Sequence, residues 1–203
     1  MRRLRLSALI PTLLLLLLGA VGAAFVQVRW LGPRAPDASE WFPMRPGDRW
    51  TYADQRGGGH IVFEVVGRAE RGGVPAFVVE RRIGRETLTF ILSVARNGVW
   101  IHETTKGVFD PPFMEFRLPP RVGDRWEHVG KFGDQPVSFE MAVSRVGPDE
   151  YDVREKSRTV TSTTDFRLKR GVGVTQLDGK SYDAHSEGPP RYQEWKLREF
   201  HRR

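Results

Sequence analysis

The chain has 203 residues, no cysteine and a formal charge of +7. That length suits one domain or two small ones. The missing cysteine excludes a disulfide framework, thiolate metal ligation, a cysteine nucleophile and a lipid anchor built on cysteine. Three of the positive charges, Arg2, Arg3 and Arg5, precede an apolar run, which leaves 7 − 3 = +4 for the rest. Those charges are interleaved with acids and form no block, which argues against a nucleic-acid partner.

Residues 6–28, LSALIPTLLLLLLGAVGAAFVQV, carry no charge. A basic start, a leucine run ending at Leu18 and small residues after it have the build of a secretory signal, with cleavage expected after Ala23 or Ala24. An uncleaved anchor is the alternative, since about 20 apolar residues span a bilayer. It would give the protein a membrane contact through residues 6–28. In either case the arginines stay cytoplasmic and the body is exported, to the periplasm or beyond the cell. Residues 1–28 are therefore expected to be a signal peptide or hydrophobic anchor helix. Residues 29–40, with two prolines and no apolar period, are expected to be a linker.

From Trp41 onward the pattern alternates with period two, so 41–203 reads as a single all-β domain. In Thr87–Val94, Leu88, Phe90, Leu92 and Val94 share one face. In Val137–Ser144, Val137, Phe139, Met141 and Val143 do the same. Further runs occupy 49–55, 60–67, 74–83, 98–103, 125–130, 150–160, 162–169, 172–177 and 191–200. Turn formers separate many of them: Gly57–Gly59, Gly72-Gly73, Asn97-Gly98, Gly147-Pro148 and Asp178-Gly179. No stretch of the body has a sustained helical period.

A repeat organises these runs. FPMRPGDRW at 42–50 matches LPPRVGDRW at 118–126 in six of nine positions, at an offset of 76. The same offset pairs Phe63-Glu64 with Phe139-Glu140. Two related halves are expected, at 41–108 and 117–200, with residues 109–121 as a proline-broken linker. Two duplicated halves of five or six strands, too small to close separate cores, predict one curved antiparallel sheet of about ten strands, a half-barrel or open barrel.

The repeated motif holds Arg45, Asp48 and Arg49, and again Arg121, Asp124 and Arg125. These could grip an anionic group, but a structural role fits better. Pro43 and Pro119 hold φ, Gly47 and Gly123 supply turn conformations, Asp48 and Asp124 bond nearby backbone, and Trp50 and Trp126 anchor each strand start. The histidines at 60, 102, 128, 185 and 201 lack metal-ligand spacing; only His185, near Asp183 and Glu187, suggests a cation loop. No metal, cofactor or catalytic signature appears, and the protein is not expected to be an enzyme. Phe109, Phe113, Met114 and Phe116 are expected to cover an edge of the sheet or to line a mouth. Inward residues including Phe63, Phe90, Leu92, Phe139, Met141 and Trp195 are candidates for contacting a lipid or other apolar ligand. The alternative is a filled core and an outer surface that meets another envelope protein.

The aromatic-Pro-x-basic-x-Gly-x-x-Trp-x-Tyr start at Phe42–Tyr52, with Gly171-Val172-Gly173 near the end, resembles the secreted, β-rich TapB-like envelope proteins. There is a more distant likeness to half-barrel carriers of the LolA and LolB type. The resemblance implies a location and a curved β architecture and supplies no catalytic residue. It departs from those groups in lacking a lipidated cysteine and covering helices.

Overall fold

In a computed structural model, which describes residues 38–181 and 191–203, the alternating runs become strands. All described residues belong to the unit Pro36–Arg203. The expected targeting segment 1–28, most of the expected linker and the His185 loop lie outside the described residues. A short helix, α1 (Ala38–Trp41), precedes β1 (Arg49–Asp54), β2 (His60–Arg71), β3 (Val74–Ile83), β4 (Glu86–Ala95), β5 (Gly98–Thr104) and β6 (Gly107–Arg117). Then come β7 (Arg125–Phe132), β8 (Gln135–Val146), β9 (Glu150–Ser157), β10 (Ser162–Lys169), β11 (Gly173–Ser181) and β12 (Arg191–His201).

Each strand pairs antiparallel with its neighbours in sequence, and β12 returns to β1, with Trp50 opposite Phe200 and Tyr52 opposite Leu197. The sheet is thus a closed twelve-stranded barrel, which corrects the expected half-barrel of about ten strands. Closure satisfies the two edges that an open sheet would leave unpaired.

The strand missing from the sequence reading is β6, which runs through the expected linker. Pro111 and Pro112 hide it. They are tolerated because β6 pairs with β7 only at Phe109–Phe132 and Asp110–Lys131, and because its ladder to β5 is irregular between Ile101 and Glu103. No ladder there needs their missing N–H groups. The true connection between the halves is 118–124, and each half supplies six strands. Asp178-Gly179, expected as a turn, lies inside β11, with Gly179 between Thr164 and Gln193. Residues 38–40 of the expected linker belong to α1.

The duplicated motif forms the same turn twice. Gly47 and Gly123 adopt φ of 96° and 84°, a region favourable to glycine alone. The Gly47 N–H donates to the Val65 carbonyl at 2.7 Å, and that of Gly123 donates to Val143 at 3.1 Å. Val65 and Val143 are therefore equivalent, an offset of 78, which corrects the ungapped pairing of Phe63 with Phe139. Trp50 opposes Phe63, whereas Trp126 opposes Met141. The second hairpin is two residues longer, and a slip of two preserves which face each side chain takes. That parity is why the hydrophobic patterns matched despite the slip.

Trp50, Val65, Val79, Val99, Phe116, Tyr151, Val153 and Leu168 point inward and are buried. The outer face carries ion pairs: Arg82 with Glu64 across strands and with Glu80 on its own strand, Arg154 with Asp165, Arg167 with Asp152, and Arg158, just after β9, with Glu140. This inside-apolar, outside-charged order is the reverse of a lipid-embedded barrel. Among the described residues no helix is long and apolar enough to cross a membrane.

Candidate functional site

One end of the barrel is sealed by the end of α1 and the segment that follows it. Trp41 meets the Tyr151 ring edge-on at 5.0 Å and Phe42 stacks on Phe116 at 5.7 Å. The Glu40 carbonyl accepts from Gly171 N–H at 2.6 Å, and its carboxylate pairs with Arg170 at 2.5 Å. Above this floor lies a cavity of about 370 Å³. Phe42 and Met44 form its base, and Trp50, Tyr52, Phe63, Phe90, Leu92, Ile101, Phe116 and Phe166 its walls. Ser162, Gly179 and Gln193 line it toward the opposite rim.

Besides Tyr52, and Lys180 at the rim, three ionisable groups share this mostly apolar space: Arg81, Glu115 and Glu155. Arg81 lies on the inner face of β3, opposite Phe63 on β2 and Leu88 on β4. Its guanidinium sits 5.7 Å from the Phe90 ring centroid, and its Nε is buried without a hydrogen-bond partner. Glu155 follows Tyr151 and Val153 on the inward phase of β9. Glu115 arrives differently. Val99 pairs with Phe116 but Trp100 with Met114, so Glu115 is the extra residue of a β-bulge. The bulge turns both Glu115 and Phe116 toward the cavity, as bulges re-aim side chains.

The two glutamates are only half-buried by surface because they face the internal cavity, yet protein encloses them. Burial, and then the nearby Glu155, push the Glu115 carboxyl up from 4.5 to about 8. Burial alone pushes Glu155 up to about 7. The Tyr52 hydroxyl, which donates to the Val174 carbonyl at 2.7 Å, is held far above the ordinary tyrosine range by burial and then by Glu115. Burial works against the charge of Arg81, opposed by Glu86. The Trp195 indole N–H, on a buried residue that lines the same cavity, also lacks a partner.

Of the six expected ligand contacts, Phe63, Phe90, Leu92 and Trp195 converge on the cavity. Phe139 and Met141 do not. Phe139 packs on Phe113 at 4.9 Å, and Met141 is buried opposite Trp126. This other side of the barrel is filled by Phe109, Phe113, Phe132 and Phe139 around His128, whose pKa burial lowers. Phe113 and Phe116 are thus core rather than edge cover, and of Phe109, Phe113, Met114 and Phe116 only Phe116 lines the cavity. Met114 instead borders a second, open depression of about 510 Å³, with Trp100, Trp126 and Val129, where β6 and β7 part.

The repeated motif does not gather its arginines into a site. Asp48 and Asp124 accept from the backbone N–H of Arg45 at 3.0 Å and Arg121 at 3.1 Å, while Arg45, Arg49, Arg121 and Arg125 are exposed. His102 bonds the Ser93 hydroxyl at 2.9 Å, and His60 and His201 are exposed. Among the described residues no cluster of three His, Asp or Glu is placed to hold a metal.

Sequence reasoning passed over Arg81, Glu115 and Glu155. Arg81 and Glu155 were findable, because each occupies the apolar phase of its strand. Glu115 was not, because only the bulge brings it inside. No family model matches the chain, and no curated protein or solved structure matches it.

Proposed function

We propose that this is an exported, non-enzymatic protein of the bacterial envelope whose barrel binds an apolar or amphipathic small molecule. The carrying observation is the cavity of about 370 Å³, walled chiefly by aromatic and aliphatic side chains with a few polar groups. Ligand sites of roughly 300–1,000 Å³ have this composition, whereas a packed core leaves voids near the size of a water. An assembly factor with a filled interior is the competing reading, and the cavity of about 370 Å³ favours the carrier. Export is supported by the arginines at 2, 3 and 5, the uncharged run 6–28 and the small residues within it.

The test is native mass spectrometry of protein purified from its own host, before and after extraction with organic solvent. A bound mass of a few hundred daltons, lost on extraction and restored by adding the extract back, is expected for a cavity of this size. A single unliganded mass under both conditions would remove the carrier reading.

A further inference from the structure

Arg81 differs from the other arginines placed by this sheet. Its neighbour Arg82 lies on the outer face and is paired with Glu64 and Glu80. Arg71, Arg154 and Arg167 are likewise held by carboxylates on the outer face. Arg81 faces inward, forms no ion pair among the described residues, and keeps a buried Nε donor unused. A partly desolvated guanidinium without a paired carboxylate is unfavourable, and only the face of Phe90 and the charge of Glu86 at a distance offset that.

We propose that Arg81 anchors an anionic head group, so that the ligand of this cavity is an amphiphile carrying a carboxylate or phosphate ester on an apolar body. This rests on the cavity being a ligand site. The guanidinium fork matches either oxyanion in a bidentate way. Arg81 lies two residues before the end of β3, toward the rim, so the head group sits near the rim. The apolar body then runs inward past Phe63, Phe90 and Leu92 to Phe116 and Phe42, all on the cavity wall. The other titratable groups lining the space are Glu115, Glu155, Tyr52 and, at the rim, Lys180, whose ammonium lies 5.5 Å from the Tyr192 ring centroid. Burial holds Glu115, Glu155 and Tyr52 toward their neutral forms and the Lys180 ammonium lies over Tyr192, so Arg81, with its unpartnered buried Nε, is the inward cation to be matched in mildly acidic solution.

The experiment uses the full chain and four ten-carbon probes: decanoate, decyl phosphate, decylamine and decanol. Binding is read from the fluorescence of Trp50 and Trp195, which line the cavity, at about pH 6, where both glutamates are neutral. Decanoate and decyl phosphate are expected to bind about tenfold or more tighter than decanol, and decylamine weakest. Whichever anion binds more tightly identifies the head group. Arg81→Gln should bring the anions down to the decanol level and leave decanol unchanged, and Arg81→Lys should fall between. If decylamine binds tightest, or if Arg81→Gln binds decanoate as wild type does, the anchor role fails while the cavity remains a ligand site. If none of the four binds, the ligand-cavity reading falls and this inference with it. Should Arg81→Gln fail to fold, the order of the four probes on the wild-type chain decides alone.

Discussion

The indole N–H of Trp50 donates to the carbonyl of Val172 at 2.6 Å, reaching past β12 to the turn that precedes β11. The bond ties the first strand to the last third of the chain at the sealed end of the barrel. Trp50→Phe keeps most of the buried ring and removes only the donor. It should cost about 1–3 kcal/mol, because the Val172 carbonyl loses its buried partner. Trp126→Phe breaks an equivalent bond to the Met114 carbonyl at 2.9 Å and should cost a similar amount. Urea denaturation of the two variants checks both values, and an unchanged midpoint for Trp50→Phe would show that the tie carries no stability.

The contribution of Glu115 and Glu155 to stability should fall as pH rises from about 5 to 8, opposed below about 6.5 by His102 and His128, whose pKa values burial lowers. The carboxyls of Glu115 and Glu155 are raised in the folded state, from 4.5 to about 8 and about 7. The folded protein therefore holds protons that the unfolded chain has already released. The contribution is complete below the unfolded pKa and is lost as pH passes through the folded values; above about 8 it is flat. Arg81 and Tyr52 face the same cavity but do not titrate in that window, Tyr52 being held high by burial. Glu115→Gln should flatten the slope and raise the melting temperature at the upper end of the window. Thermal melts of wild type and variant across that range are the measurement, and parallel curves would contradict the assignment.

Removing residues 191–203 should unfold the domain. The truncation deletes β12, exposes the edges of β1 and β11, and takes away Trp195, Leu197 and Phe200 from the core. Trp41→Ala, at the other end of the described chain, should cost about 3–5 kcal/mol, the usual range for a buried Trp. Hydrogen exchange would separate the two cases, with global loss of protection in the truncation and a smaller uniform decrease in Trp41→Ala.

Much of the barrel was legible because period-two alternation is a strong signal. Eleven runs from 49–55 to 191–200 each became a strand, and the repeated Pro–Gly–Asp–Trp turn marked both halves. The failures share a cause. Prolines 111 and 112 hid β6, which survives because β7 scarcely pairs with it there. Gly179 imitated a turn because its small side is turned to the cavity. Closure itself was invisible, since the contact of Arg49 with His201 depends on strand tilt and number and on no local pattern. Likewise Glu115 entered the candidate site by an irregularity of backbone pairing, which leaves no mark in composition.

The return of β12 to β1 also sets a kinetic constraint. Eleven of the twelve ladders join neighbouring strands through their connecting loops, whereas the twelfth joins the two ends of the domain. Contacts at such sequence separation form slowly, because loop-closure entropy is lost before they stabilise anything. Until the last strand has been made and docked, the partly built sheet has two sticky margins and an uncovered apolar face, so the hazard of pairing with another chain ends only when the ring shuts.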